Sequence, residues 1–428
     1  MRNFLSKFVS AVAFLCLICS MAPFSRVTAM NAGRRTGQDG DGSPFRHVFV
    51  IVLENEGFDV TFGPNSKAPY LARTLTSKGV LLSQYYGTGH ASLDNYIAMI
   101  SGQAATPETR NDCFVYADFV LTSVSPDGQA IGSGCVYPDR IKTIADQLTT
   151  RGKTWRAYMG DMGNDPARES AICGHPSLNT PDLTQTAEKP SASLPLGDQY
   201  ASRHNPFVYF HSITDSGECS NVVNLNLLAT DLKSDRTTPD FVFITPNLCD
   251  DGHDGPCVNG QPGGLVSADA FLQKWIPLIQ ASDAYRDAGL IVINFDEGGV
   301  NNQAVSSSGV TVTFQGQYCC SEQPGPNLAP FPQSVVIGTL PGVGSITLNT
   351  NDYGGDRTGA VLLSPLLKGG KVSNTPFNHY SLLKTLEDIF RTESYLGYAG
   401  QPGLLSFFGS VSSDIHVGGS DDNNSQAH

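Results

Sequence analysis

The sequence predicts an α/β protein with a doubly wound, mainly parallel sheet and helices on both of its faces. Three continuous apolar runs rich in β-branched residues, HVFVIVL (47–53), FVFIT (241–245) and LIVINF (290–295), are typical of buried parallel strands. Segments with helical spacing of apolar residues lie between them. Strands that alternate with helices in this way indicate a sheet covered on both sides.

The other elements follow from the same patterns in chain order. Strands are predicted at 80–86, 154–159, 333–339 and 359–363, and helices at 68–78, 93–100, 138–150, 222–232, 268–288 and 380–390. Long stretches rich in Gly, Ser, Pro and Asp are predicted to be loops, with short strands at most; they are 114–134, 160–200 and 301–332.

Composition limits the possible functions. The chain has 428 residues, 40% of them hydrophobic, which is enough to form a folded core. Its net charge of −13 argues against a nucleic-acid partner, because such proteins carry a basic surface. The same charge repels an anionic substrate, so a site for one needs local cations or a metal.

The N-terminus has the pattern of an export signal. Arg2 and Lys7 precede the apolar run 8–21, and small residues allow cleavage after Ala29, so 1–29 is predicted to be a signal peptide of a secreted or periplasmic protein. An uncleaved anchor is the alternative, although the run is short for a membrane span. We expect no stable membrane insertion of the mature protein.

The rest of the chain is predicted to form one domain at 46–410. It lies between a flexible leader at 30–45 and a disordered tail at 411–428. The oligomeric state is left open.

Eight cysteines follow the signal, an even number typical of disulfides in an exported protein. The pairs Cys113–Cys135 and Cys249–Cys257 would each clamp a loop. Cys319 and Cys320 are adjacent, and we expect each to pair elsewhere rather than with the other.

Polar residues follow each of the three buried strands. Glu54 and Asn55 follow the first, Asp250, Asp251 and His253 follow the second, and Asp296 and Glu297 follow the third. The carboxyl ends of parallel strands meet at one edge of a sheet. Oxygen ligands suit Mg²⁺, Ca²⁺ or Mn²⁺, and mixed Asp/His sites suit Zn²⁺ or Fe. For any one cluster alone, turn or helix-cap residues are the more common explanation, but three such clusters that all follow buried strands together favour a ligand site.

Ser92 lies between a predicted strand and a predicted helix, in the segment GTGHASLDNY. The free N–H groups of a helix N-terminus favour a phosphate, and a nearby cation would activate the hydroxyl. The alternative is that Ser92 only caps the helix. His379 precedes the last predicted helix and could bind a metal or phosphate, or be structural.

Several stretches together resemble the phosphoesterase family that contains bacterial acid phosphatases and phospholipases C, within the alkaline-phosphatase-like superfamily. They are VLENEGFD, YYGTGHASLDNYIAMISGQ, TWRAYMGDM, RHNPFVYF, TPNLCDDGHDG, FDEGG and NHYSLLKTLEDIF, and they cover residues 46 to about 392 in the family's order. The resemblance implies an alkaline-phosphatase-like fold.

The resemblance also implies roles for individual residues. Ser92 matches the nucleophile, and Thr88 is a weaker candidate. The implied metal ligands are Glu54, Asn55, Ser92, Asp296 and Glu297; the implied catalytic histidines are His90, His253 and His379; the implied substrate contacts are Asn55, Asn95 and Asp251, with Asp250 as the alternative to Asp251. His204 belongs to the shared motif without an assigned role.

Two departures leave the metal open. Glu297 stands where two-metal alkaline phosphatases use His, and Glu54 stands where they use Asp. The implied cofactor is therefore a divalent ion, Ca, Mg, Mn, Zn or Fe.

The function expected from these observations is that of a secreted, metal-dependent phosphomonoesterase that acts on a phosphate ester. The implied type is an acid phosphatase of broad or phosphoinositide specificity, and its histidines suggest an acidic optimum. A phospholipase C-type phosphodiesterase is the first alternative. The resemblance disfavours it, because the larger phospholipase C members carry a D-E-H-G-G motif and further C-terminal domains, whereas this chain has Asp296-Glu297-Gly298-Gly299 and stops soon after its last predicted helix. The second alternative is a non-catalytic secreted binding protein.

Overall fold

The fold is known from a computed structural model, which describes residues 43–299, 302–306, 309–340, 344–409, 415, 417 and 418. The predicted signal peptide lies outside the described residues, as do nearly all of the predicted leader and most of the predicted tail. The predicted domain limits stay predictions.

An eight-stranded sheet forms the centre of the described structure, in the order β15-β2-β14-β9-β1-β8-β6-β7. The five strands from β9 to β7 run parallel, whereas β14 is antiparallel to both of its neighbours. The sheet is therefore mainly parallel, as predicted. The strands of the chain are β1 (His47–Leu53), β2 (Val80–Leu82), β3 (Tyr85–Tyr86), β4 (Val120–Val124), β5 (Ala130–Ser133), β6 (Trp155–Met159), β7 (Val222–Asn224), β8 (Phe241–Thr245), β9 (Gly289–Phe295), β10 (Asn302–Ser306), β11 (Gly309–Phe314), β12 (Gln333–Leu340), β13 (Gly344–Thr350), β14 (Ala360–Leu363), β15 (Lys371–Ser373) and β16 (Phe377–Asn378).

Helices cover both faces of this sheet. Alternate residues of β1 point to opposite faces, so Val50 packs into one hydrophobic cluster and Ile51 into the other. Helices α3, α4 and α9 contribute to the first cluster and α7 to the second, which confirms the predicted layers. The α-helices are α1 (Phe58–Thr61), α2 (Thr76–Lys78), α3 (Ser92–Ser101), α4 (Ile144–Thr150), α5 (His211–Thr214), α6 (Leu228–Asp231), α7 (Gly264–Ala281), α8 (Asp283–Arg286) and α9 (His379–Phe390).

Four predicted helices differ from the structure. In the one predicted at 68–78, Tyr70–Leu75 form a π-helix that continues into α2. The helix predicted at 138–150 begins only at Ile144, because Thr143 and Asp146 form a capping box there. The segment predicted as a helix at 222–232 begins instead with strand β7, which extends the main sheet. The helix predicted at 268–288 is two helices, because the Ser282 side chain caps a second helix.

A second, four-stranded sheet has the order β10-β11-β13-β12. The sequence predicted a loop at 301–332 and did not separate the strand at 333–339 from the main sheet. Thr, Ser and Gly in these strands weaken the apolar alternation that identifies a strand. Arg110 joins this sheet to the chain after α3, since its guanidinium donates to Gln333 Oε1 and Thr350 Oγ1, both at 3.0 Å.

The eight described cysteines form four disulfides. Cys113–Cys135 and Cys249–Cys257 pair as considered from the sequence, and Cys173 pairs with Cys219. The expectation that Cys319 and Cys320 pair elsewhere is wrong, because they pair with each other. The other six cysteines are already paired, which leaves these two no other partner among the described residues.

No helix within the described ranges has the length and apolar character needed to cross a membrane.

Candidate active site

Three carboxylates meet at the carboxyl end of the main sheet. Glu54 follows β1, and its backbone N–H donates to the carbonyl of Asp251, which follows β8. The backbone N–H of Asp296, after β9, donates to the carbonyl of Leu53. Because β1 lies between β8 and β9, this pairing brings together Glu54, Asp251 and Asp296. In the chain, Asp251 follows Glu54 by about 200 residues, and Asp296 follows Asp251 by 45 residues.

Ser92 joins this group as the first residue of α3. The residue that caps the helix is Ala91, in an extended conformation. The Ser92 hydroxyl instead donates to Glu54 Oε2 at 2.9 Å. Its side chain therefore contacts the carboxylate cluster and does not cap the helix, whereas Thr88 Oγ1 bonds to Asn95.

The cluster consists of buried carboxyl groups close to one another. Burial and the neighbouring Asp296 raise the pKa of Glu54 well above its usual value, and burial and Glu54 do the same to the pKa of Asp251. Burial raises the pKa of Asp296 to about 7. Three carboxylates so close together cannot all ionise cheaply without a neighbouring cation.

The residues of this cluster fit a divalent cation. Buried oxygens that have no hydrogen-bond partner are Glu54 Oε1, Asp251 Oδ2 and Asp296 Oδ2. Such unpaired buried acceptors are costly unless a cation or proton satisfies them. Within the described residues, no three His, Cys, Asp or Glu side chains already stand in the arrangement of a preformed metal site.

His204 completes the buried cluster, and sequence reasoning gave it no role. Its Nε2 lies 3.4 Å from Glu54 Oε1, and its Nδ1 lies 3.9 Å from Asp251 Oδ2. The ring stacks on Tyr96, one turn after Ser92 on α3, with centroids 5.3 Å apart. Burial lowers the pKa of His204 well below its usual value, which favours the neutral ring, whose unprotonated nitrogen could bind a cation. In the sequence, only the RHNPF motif that contains His204 points to this residue.

Asn55 and His253 form the open side of the site. Asn55 has a left-handed backbone (φ 54°), and its side-chain amide donates to Glu54 Oε2 at 3.1 Å. The same amide lies 3.4 Å from His253 Nδ1. The His253 side chain is 54% exposed, unlike the buried His204. These two residues can therefore reach a substrate from solvent.

Asn95 and His379 lie behind the site. The Asn95 side chain accepts from Thr88 N and donates to the carbonyls of Gly89 and Ala91, so it holds the turn before Ser92. The two ring nitrogens of His379 bond with the Asp296 carbonyl and the Tyr85 hydroxyl. Burial lowers the pKa of His379 to about 4.

The described hydrogen bonds of both residues are with the protein: Asn95 bonds to the turn before Ser92, and His379 bonds to the Asp296 carbonyl and to Tyr85. The contact of Asn95 with substrate and the role of His379 at a metal or phosphate stay predictions.

The other predicted site residues surround this centre. His90 lies 3.5 Å from Asp352 through Nε2, and its ring packs against Phe314. Glu297 is buried, and burial and Asp296 raise its pKa well above the usual value. Burial raises the pKa of Asp250 to about 6. The carboxylate whose charge acts on Asp250 is Asp161, and not one of the carboxylates beside Ser92.

Arg203 and Asp112 lie beside the N-terminus of α3. Asp112 Oδ1 accepts from the backbone N–H of Leu93 at 3.0 Å, and Asp112 Oδ2 lies 3.9 Å from Arg203 Nε. Arg203 is also among the charges that act on Glu54 and Asp251. It supplies a cation beside an otherwise anionic site, and the sequence analysis did not identify either residue.

Comparison with known proteins gives the chain's relationships. The sequence profile of the phosphoesterase family matches residues 64–393. A probable acid phosphatase of Kluyveromyces lactis is 26% identical over 272 residues, which cover 63% of this chain and 52% of that protein. A phosphate-repressible acid phosphatase of Penicillium chrysogenum is 25% identical, with 60% and 49% covered.

Two further matches come from bacteria. The phosphatidylinositol-3-phosphatase of Mycobacterium tuberculosis is 23% identical over 60% of this chain and 66% of that protein. The solved structure of an alkaline phosphatase superfamily protein from Vibrio parahaemolyticus is 12% identical with a TM-score of 0.44, and 84% and 71% of the two chains are covered.

The chain spans about half the length of the fungal relatives named above. The family profile, by contrast, matches more than half of this chain in one continuous range. The chain therefore belongs to the phosphoesterase family.

Proposed function

We propose that this protein is a secreted, metal-dependent phosphomonoesterase of the acid phosphatase type, with Ser92 as its nucleophile. The observation that carries the proposal is the hydrogen bond of 2.9 Å from the Ser92 hydroxyl to Glu54, inside a buried carboxylate cluster. A hydroxyl fixed beside a group that accepts its proton is the arrangement that nucleophilic catalysis needs.

The proposed reaction has two halves. Ser92 Oγ gives its proton to Glu54 Oε2 and attacks phosphorus, so the Oγ–P bond forms and the bond from phosphorus to the alcohol oxygen breaks. His253, on the open side, gives a proton to the departing alcohol. Water then attacks phosphorus and gives one proton to His253, the Oγ–P bond breaks, and Ser92 Oγ takes back the proton held by Glu54, with inorganic phosphate as the second product.

Buried carboxylate oxygens and a histidine nitrogen of this chain fit a divalent metal ion in the site. Glu54, Asp296, Asp251 and His204 would hold it, together with Ser92, and Asn55 and Glu297 are further candidates. When bound, the cation supplies Lewis acidity and lowers the pKa of a hydroxyl. His379 holds the Asp296 backbone, and Asn95 holds the turn that presents Ser92.

The names of the relatives support a monoester substrate. The two fungal relatives are called acid phosphatases, and the mycobacterial one is called a phosphatidylinositol-3-phosphatase. Phosphoinositides therefore belong among the monoesters to be tested.

The proposal is tested by hydrolysis of p-nitrophenyl phosphate and bis-p-nitrophenyl phosphate, with and without a chelator. We expect the monoester to be preferred, and turnover to fall about 10³-fold or more in Ser92→Ala. Ser101→Ala is the matched control, because Ser101 is a buried serine at the other end of the same helix that bonds only to nearby backbone. Its turnover should stay within about twofold.

Other outcomes separate the alternatives. Preferential turnover of the diester would favour a phosphodiesterase. If folded protein turned over neither ester at any pH tested or with any divalent metal tested, the proposal that this protein is a phosphoesterase would be refuted. Equal losses in Ser92→Ala and Ser101→Ala would refute Ser92 as the nucleophile.

Export is part of the proposal. The four disulfides support an oxidising compartment. N-terminal sequencing of protein recovered outside the cytoplasm should begin at Met30, and a start at Met1 would contradict the predicted cleavage.

A further inference from the structure

We propose that a cavity between the His90 turn and the four-stranded sheet binds the alcohol part of the substrate, and that this alcohol is apolar, of the aryl type. The cavity has a volume of about 280 Å³. The inference rests on the proposed function, because it assigns a substrate class to the same site.

The cavity lies beside the turn that carries the nucleophile. His90 lines it and precedes Ser92 by two residues, a separation of at most about 7 Å along the chain. Asn111 lines it as well, and the next residue, Asp112, accepts from the backbone N–H of Leu93. The proposal places the alcohol part of an ester held at Ser92 in this neighbouring cavity.

One face of the four-stranded sheet makes the cavity wall apolar. Phe314 of β11, Val335 of β12 and Leu348 of β13 line it, and Val335 pairs directly with Leu348. Phe314 also packs against the His90 ring, with centroids 5.3 Å apart. The apolar wall is thus continuous with the turn that carries Ser92.

The polar groups of the cavity do not favour a cationic alcohol. Arg110 lines it, and its guanidinium donates to Gln333 Oε1 and Thr350 Oγ1 of the cavity wall. The described residues that line the cavity include no carboxylate, so a cationic alcohol finds no counter-charge. The cavity volume is near the low end of the range for ligand-binding cavities, and it suits a group of one or two rings.

Val335 and Val336 provide a matched test of this wall. Both are exposed valines of β12, at 55% and 61%, but their side chains point to opposite faces of the sheet. Val335 lines the cavity, and Val336 does not. The measurement is kcat/KM for 1-naphthyl phosphate and for glycerol 2-phosphate with wild type, Val335→Asn and Val336→Asn.

We expect the ratio of kcat/KM, naphthyl over glycerol ester, to fall about fivefold in Val335→Asn and to stay unchanged in Val336→Asn. Comparing the ratio between variants cancels the different intrinsic reactivity of the two esters. An unchanged ratio in Val335→Asn, or an equal fall in both variants, would overturn this inference while the monoesterase activity stands. No turnover of either ester by wild type would overturn the proposed function itself.

Discussion

At the scale of single residues, Glu54 contacts a hydroxyl that stabilises its charge, while burial and a neighbouring carboxylate oppose that charge. It accepts a hydrogen bond from Ser92 through one oxygen, while its other oxygen is buried without a partner near Asp251, Asp296 and His204. Burial and Asp296 raise its pKa well above the usual value. Such a carboxylate lowers the stability of the metal-free fold and is useful only when it meets a cation or a proton.

Glu54→Gln should therefore separate stability from function. The amide keeps the size of the side chain and removes its charge, so metal-free protein should gain about 1 kcal/mol of unfolding free energy. Monoester turnover should fall about 10³-fold. The rise in Tm that a divalent metal causes in wild type should disappear, which thermal denaturation with and without metal measures.

Glu387→Gln is the control for this substitution. It removes another buried carboxylate, on α9, that makes no contact with Ser92. It should keep the Tm response to metal. The assignment of Glu54 to the metal would be wrong if Glu54→Gln kept the full response as well.

At the scale of elements, α9 is linked to the following segment through Glu387. Its Oε1 accepts from the backbone N–H of Leu396 at 2.8 Å, and its Oε2 is buried without a partner. Burial raises the pKa of this carboxyl from 4.5 to about 8. Between about pH 4.5 and 8 the folded state therefore holds a proton that the unfolded state has already released.

This shift predicts a stability that depends on pH. The contribution of Glu387 is fully present below the unfolded value near 4.5 and is lost as pH rises through about 8. Over this window it lowers the unfolding free energy by at most about 1.4 kcal/mol per pH unit. Urea unfolding at pH 5, 6.5 and 8 should show a flatter profile for Glu387→Gln than for wild type. Parallel profiles would mean that another group carries the dependence.

At the scale of the whole molecule, disulfides hold long loops over the edge of the sheet that carries the site. Cys173–Cys219 closes a separation of 46 residues and encloses Arg203 and His204, whereas Cys249–Cys257 closes one of 8 residues. A longer closed loop restricts the unfolded chain more strongly.

Removing these two disulfides should have unequal effects. Replacing Cys173 and Cys219 with Ser should cost about 4 kcal/mol of unfolding free energy, and replacing Cys249 and Cys257 about 2.5 kcal/mol. The first change should also reduce monoester turnover, because it frees the segment that carries His204. Urea unfolding and kcat/KM of the two double variants check both points, and a larger cost for the shorter loop would contradict the expectation.

The sequence by itself determined the layers of the fold. The runs at β1, β8 and β9 are continuous and β-branched because both faces of these strands are buried, and this local pattern needs no knowledge of the tertiary structure. Segments with a weak pattern of apolar residues are harder to assign to a strand or a helix from the sequence. The local pattern predicts a helix where the structure has β7, and a loop with short strands at most where it has β10 and β11, because pairing partners rather than their own propensity make these segments strands.

The same division holds for the site. Polar residues directly after parallel strands, such as Glu54 and Asp296, could be predicted because strand ends share one edge of a sheet. Only the tertiary structure brought in His204, placed the support of Asn95 and His379 behind the site, and put Val335 beside the His90 turn. These contacts join segments far apart in sequence through loops without periodicity, so packing over the sheet edge, and not local pattern, decides them.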